Sequence, residues 1–166
     1  NVTSAVSNVA GVDISSLDET MVDSLLANGM SLAIYDTAEE RVASVWSVSD
    51  AGEVSYTAYM YSGNDLAYTV SGDTKQAVID VMTNIGASDI TTADATLVAE
   101  YLAAGISIAV YDTLAERVAY VWSMSDDSDV SYTAYVYDGD DLVYTVSGQD
   151  KVSVDGVIAS LTGYDL

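Results

Sequence analysis

The sequence predicts an α+β fold made of two tandem, pseudo-symmetric ααββββ repeats followed by a closing C-terminal helix. Three observations predict it. Ser31 to Gly72 returns as Ser107 to Gly148 at an offset of 76 residues without a gap, and 29 of those 42 positions are identical. Whatever fold one copy adopts, the other is expected to adopt. An apolar stripe at i, i+3, i+4 and i+7 occurs three times at the same 76-residue step, the signature of one amphipathic helix written three times. Each copy also carries four short runs of alternating β-branched and aromatic residues, separated by turn-forming residues. Such runs read as antiparallel strands joined by hairpins.

Taken in order, the first stripe is Val2, Ala5, Val6 and Val9, the second Val78, Val81, Met82 and Ile85, and the third Val154, Val157, Ile158 and Leu161. A second helix follows in the first two cases. Ser15 with Asp18, and Thr91 with Asp94, have capping-box spacing, with Asp in place of the usual Glu or Gln. Met21, Val22, Leu25 and Leu26 supply its apolar side in one copy, and Leu97, Val98, Tyr101 and Leu102 in the other. Gly29 and Gly105 stand where a left-handed C-terminal residue is wanted. Strands are expected over about 31–36, 41–49, 54–61 and 65–71, and over about 107–112, 117–125, 130–137 and 141–148. Turn residues divide them, as in Asp50-Ala51-Gly52-Glu53 and Ser62-Gly63-Asn64-Asp65. The boundaries are therefore 1–74 for repeat one, 75–150 for repeat two and 151–166 for the closing helix. No linker separates the copies, so one compact pseudo-twofold body is expected. Whether the two sheets join edge to edge or pack face to face is left open.

Alternation places Leu32, Ile34, Trp46, Val48, Val54, Tyr56, Met60, Leu66, Tyr68 and Val70 on the face that packs on helices. The opposite face carries Ala33, Tyr35, Ala43, Val45, Ser47, Ser55, Thr57, Tyr59, Tyr61, Ala67, Thr69 and Ser71, and the second copy repeats it, with Tyr135 and Tyr137. A sheet with one wet face usually alternates apolar and charged residues. Here no strand interior holds a charge, in a chain of net charge −22. The second face is therefore expected to be covered, by the other copy's sheet or by another subunit. Tyr suits such a surface, because its ring buries area while its hydroxyl stays hydrogen-bonded.

Twenty-six acids, 20 of them Asp, oppose four bases, yet half of the chain is apolar. That apolar content argues against disorder. The charge repels itself in dilute buffer, whereas 1 M salt shortens the Debye length to about 3 Å and removes most of the repulsion. An Asp-rich, Lys-poor but apolar composition resembles that of haloarchaeal proteins in general. Nucleic-acid binding is disfavoured, because neutralising phosphates takes Lys and Arg. No uncharged run approaches the roughly 20 residues needed to span a bilayer. The chain opens at Asn1 rather than Met, and the counterpart of Lys75 would fall ahead of Asn1. Both features suggest a processed or trimmed start.

The four bases form two equivalent pairs, Arg41 with Arg117 and Lys75 with Lys151. Each Lys lies near a helix start, where a positive charge opposes the macrodipole, and so calls for a carboxylate partner or an interface role. Arg41 and Arg117 face Asp36 and Asp112 across a short turn. A cross-strand ion pair is expected there, with an anion site as the sharper alternative.

Without His or Cys, the commonest general base, the thiolate nucleophile and the usual transition-metal ligands are missing. The acidic turns Asp126, Asp127 and Asp129, and Asp138, Asp140 and Asp141, fit no EF-hand pattern. They offer weak cation binding at most. No catalytic, cofactor or metal residues are assigned, and the chain is expected not to be an enzyme. The leading expectation is a structural, self-associating subunit of a hypersaline filament, surface layer or virion, with itself as partner through the uncharged face. The alternatives are an intracellular binding or regulatory module for a protein or small ligand, and an acidic nucleic-acid mimic.

Overall fold

Alternating strands joined by tight turns produce one continuous antiparallel sheet. The computed structural model describes residues 10, 12–86, 90, 96, 98, 99, 102, 105–125 and 127–161. The strands are β1 (Ser31–Asp36), β2 (Arg41–Val48), β3 (Val54–Ser62), β4 (Asp65–Gly72), β5 (Ser107–Asp112), β6 (Arg117–Met124), β7 (Val130–Asp138) and β8 (Asp141–Gly148). They lie in sequence order, each hydrogen-bonded to the next. Among the described residues the helices are α1 (Glu19–Leu25), α2 (Lys75–Ile85) and α3 (Lys151–Leu161), with a 3₁₀ turn at Ile14–Ser16. The two sets of strands join edge to edge, through Tyr68↔Val110, Thr69↔Ala109, Val70↔Ile108 and Ser71↔Ser107. The other copy's sheet therefore does not cover the uncharged face.

Turn chemistry fixes the registers. Ser62 pairs with Asp65 and Asp138 with Asp141, leaving the two-residue loops Gly63-Asn64 and Gly139-Asp140. Only the first residue of each loop has a positive φ, 63° and 57°, as in the type II′ hairpin, where Gly leads. In the longer β1–β2 turn the Asp36 carboxylate accepts from Ala38 and Glu39 N–H at 3.0 and 3.3 Å. Asp112 does the same for Leu114 and Ala115 at 3.0 and 3.2 Å.

The β1–β2 and β3–β4 hairpins each carry a β-bulge. Ile34 faces Ser44 while Tyr35 faces Val42, so Ala43 is the extra residue; Met60 faces Tyr68 while Tyr61 faces Leu66, so Ala67 is extra. The same shifts recur at Ala119 and Val143. A bulge shifts the alternation by one. Leu66, expected on the helix-packed face, therefore lies on the opposite one beside Tyr61.

The core lies on one side of the sheet only. Trp46 and Trp122 are fully buried there, together with Val70, Ile108 and Tyr132. Val78, Val81 and Ile85 of α2, Val22 of α1 and Val154 of α3 cover them, with Leu17, Ile90, Val98 and Leu102. Trp46 packs tilted on Tyr56 at 4.7 Å between ring centres, and Trp122 on Tyr132 at 4.6 Å.

Two capping expectations are corrected. Asp18, not Ser15, caps α1, accepting from Met21 N–H at 2.9 Å. Ser15 instead belongs to the 3₁₀ turn, bonded to Asp13. Gly29 has φ 75°, as does Gly105, but α1 ends at Leu25. Gly29 thus serves the turn into β1, where its N–H donates to Val48 O at 2.8 Å. The stripe at Val2 to Val9, the Thr91–Asp94 box, Leu97, Tyr101 and Asp126 lie outside the described residues.

Candidate assembly surface

The face opposite the helices is built from hydroxyls that satisfy one another. Ser47 Oγ lies 2.9 Å from Ser55 Oγ, and Thr57 Oγ1 lies 2.9 Å from Ser71 Oγ. The counterparts Ser123–Ser131 and Thr133–Ser147 are each 2.8 Å apart. These are directly opposed residues on neighbouring strands, the positions where Thr and Ser pairs bond across an antiparallel ladder. A hydroxyl already bonded to a protein partner loses less when water leaves. Covering this face therefore costs less than covering free hydroxyls. The acids stand at the strand ends and in the turns, as at Asp36, Asp50, Asp65, Asp73 and Asp112.

Tyrosines rim the face. The bulge at Ala43 leaves the Val42 carbonyl to accept from Tyr61 Oη at 2.9 Å; Val118 O accepts from Tyr137 Oη at 3.0 Å. Burial pushes the Tyr59 hydroxyl above its ordinary value, and the neighbouring Tyr111 and Tyr61 hydroxyls add to the shift. Three tyrosines from β3 and β5 thus gather near the central seam.

The arginines act differently from the expected ion pair. Arg41 stacks over the Tyr61 ring at 4.3 Å and donates through Nη1 to Gly63 O at 2.6 Å. Arg117 stacks over Tyr137 at 4.0 Å and donates to Gly139 O. Neither forms an ion pair with Asp36 or Asp112 among the described residues, because those carboxylates are held by the amides of their own turns. The planar guanidinium suits stacking and a carbonyl bond together, so each Arg ties β2 or β6 to the next hairpin. The sequence held a signal for this: Arg41–Tyr61 and Arg117–Tyr137 recur at one offset.

The lysines also diverge. Lys75 Nζ donates to Ser15 O and Leu17 O at 3.1 Å each, while its backbone N–H donates to Glu19 Oε1 at 2.5 Å. Glu19 thus serves the α2 N-terminus rather than the ammonium. Lys151 does find a carboxylate, Asp155 one turn along α3.

Two shallow hollows open on this face. One, of 220 Å³, is lined by Tyr61, Leu66, Tyr111, Asp65 and Glu116 among others; the other, of 150 Å³, lies beside Arg41 and Tyr59. Both are smaller than the roughly 300–1,000 Å³ of ordinary ligand pockets. Among the described residues no three acids converge as a cation site, and Asp127, Asp129, Asp138, Asp140 and Asp141 are all exposed. None of those described helices is long and apolar enough to cross a membrane. Comparisons with protein-family models, with curated proteins and with solved structures find no match for this chain.

Proposed function

We propose that this chain is a structural, self-assembling subunit of a hypersaline extracellular filament, surface layer or virion, with no catalytic role. One observation carries this reading: a chain of net charge −22 keeps carboxylates out of the strand interiors of a broad sheet face whose hydroxyls are already paired, and leaves them at its rim. Bare to solvent, such a face gains nothing from excluding acids in a protein that otherwise spreads them widely. Against a second molecule, every excluded carboxylate is a desolvation cost avoided.

The two halves are read as repeats of one ααββββ unit that form one body, since bulges and hydroxyl pairs recur at a 76-residue step. Duplication doubles the area of the face and lets one chain present it in two places. The Asp-rich composition fits high salt, where screening removes the repulsion between subunits. The alternative, an intracellular binding module, draws only on the 220 Å³ hollow at the seam.

The test places Lys at Thr57 and Thr133 together and measures particle mass in molar salt. The expected outcome is loss of large particles with the fold retained by circular dichroism. Unchanged mass with unchanged folding would remove the face from the assembly.

A further inference from the structure

Among the described residues the sheet has two unpaired edges, β1 and β8, and the chain already contains a copy of what joining them would look like. We propose that a second copy of this chain docks edge to edge, β8 of one molecule against β1 of the next, reproducing the internal β4–β5 seam. This deepens the self-association reading above but rests on the edges, not on the face.

The sequences match position by position. At the seam β4 presents Tyr68, Thr69, Val70 and Ser71; 76 residues later β8 presents Tyr144, Thr145, Val146 and Ser147. Opposite them β5 presents Val110, Ala109, Ile108 and Ser107, and β1 holds Ile34, Ala33, Leu32 and Ser31. One side is identical and the other conservative. The polarity also fits. Strands alternate in direction across the eight-stranded sheet, so β8 of one molecule meets β1 of the next antiparallel, as β4 meets β5. The bulge at Val143 is no obstacle, because β4 has the same bulge at Ala67 and pairs with β5 beyond it.

Burial shows what is missing at the two ends. Val81 of α2 is 2 % exposed, but its counterpart Val157 of α3 is 47 % exposed. Ile90 is 6 % exposed, whereas its counterpart Ile14 is 41 % exposed. Val70, Thr69 and Ile108 are buried at the seam; Val146 and Leu32 are only half-buried, and Thr145 is exposed. Apart from Ile14, whose neighbours Ser15 and Leu17 accept from Lys75 at the start of α2, the deficits fall on α3 and β8 and on β1, the two surfaces that the proposed contact brings together. Exposed edges are usually blunted by Lys, Pro or inward charges. The paired stretches of β1 and β8 carry none of these. At the internal seam the Asp73 carboxylate lies 3.2 Å from where a side chain on Gly105 would begin. Its sequence counterpart is the neutral Gln149, so the intermolecular seam would lack that carboxylate, while the Asp50 carboxylate lies 2.9 Å from where a side chain on Gly29 would begin. The contact is head-to-tail, and each addition leaves the same two edges free, which gives an open fibre rather than a closed ring unless the rotation closes.

The chain has no Cys, so disulfide trapping reads the contact cleanly. Opposed residues on an antiparallel ladder lie about 4.5–5.5 Å apart at Cα, within disulfide reach. The full-length variant Ser31→Cys/Ser147→Cys is oxidised in molar salt and run on a non-reducing gel. The internal reference is Ser71→Cys/Ser107→Cys, which should close within one chain. Should that reference stay open, Val70→Cys/Ile108→Cys and Leu32→Cys/Val146→Cys replace the two pairs, because adjacent pairs alternate in geometry. The expected result is a ladder at multiples of the monomer mass that persists when Thr57→Lys and Thr133→Lys are added. Monomer alone, with the reference closed, overturns the proposal. So do dimers from Ser31→Cys or Ser147→Cys alone in the yield of the double variant, which would mean a symmetric edge contact. Large particles by sedimentation without a ladder overturn it too, while leaving assembly through the face intact.

Discussion

Tyr132 has Trp122 against its ring at 4.6 Å, Tyr120 at 5.3 Å and the Lys151 ammonium 5.6 Å from its centre. Burial first, and then the negative charge of Asp155, push its hydroxyl up from 10.0 to about 12. The folded state thus keeps a proton that the unfolded state loses near pH 10. The stability held in that proton is fully present below about pH 10 and drains away as pH rises to about 12. Tyr59 and Tyr68, both raised chiefly by burial, act with the same sign. Urea midpoints in molar salt should therefore fall across this alkaline window, and fall less steeply in Tyr132→Phe. Equal slopes in the two proteins would mean that the Tyr132 hydroxyl is not the group held neutral. The reach of Asp155 to Tyr132 was not legible in the sequence, since it depends on how α3 crosses β7. The Tyr itself was legible, as an apolar-face residue at the position equivalent to Tyr56.

Where α2 crosses β4, the packing leaves no room for a side chain at Gly72. A Cβ there would lie 2.2 Å from Ile106 Cδ1 and 3.3 Å from Val78 Cγ2. Overpacking of this kind costs about 1–3 kcal/mol, so Gly72→Ala should lower the urea midpoint clearly. At the equivalent Gly148 a Cβ meets only Val154 Cγ2, at 2.9 Å. Gly148→Ala should therefore leave the monomer closer to wild type. If β8 pairs with β1 of another copy, Met30 of that copy takes the place of Ile106, and the same substitution should reduce particle mass. Sedimentation and denaturation on the two variants separate the effects. Much at this scale was readable beforehand. All eight strands fall within a residue or so of where alternation and turn chemistry place them, because each hairpin is decided within a few residues. The misreadings occur where a local rule meets a nonlocal one. The bulge at Ala67 reverses the side of Leu66 because register depends on the partner strand. Helix α1 is capped by Asp18 and starts at Glu19, because Ser15 is engaged by Asp13 instead.

At the scale of the whole molecule, eight strands form one layer, helices pack on one side, and acids ring the strand ends. Duplication is plain in the sequence, but the joining of β4 to β5 is not. The pairing of two edge strands 36 residues apart leaves no periodic mark, and alternation alone is equally compatible with two stacked sheets. The arrangement has an electrostatic consequence. With 26 acids and four bases, and only one ion pair among the described residues, the folded state gathers like charge that the unfolded chain spreads out. Stability should rise with salt as the Debye length shrinks from about 10 Å at 0.1 M to about 3 Å at 1 M, and level off once screening is shorter than the spacing of the carboxylates. Among the described residues no acidic cluster is arranged to hold a metal, so the response should follow ionic strength rather than the identity of the cation. Thermal midpoints in NaCl and KCl should overlay at equal ionic strength and climb most steeply below about 1 M. Curves that separate by cation, or a midpoint jump on adding millimolar calcium, would replace screening with specific ion binding as the source of the salt requirement.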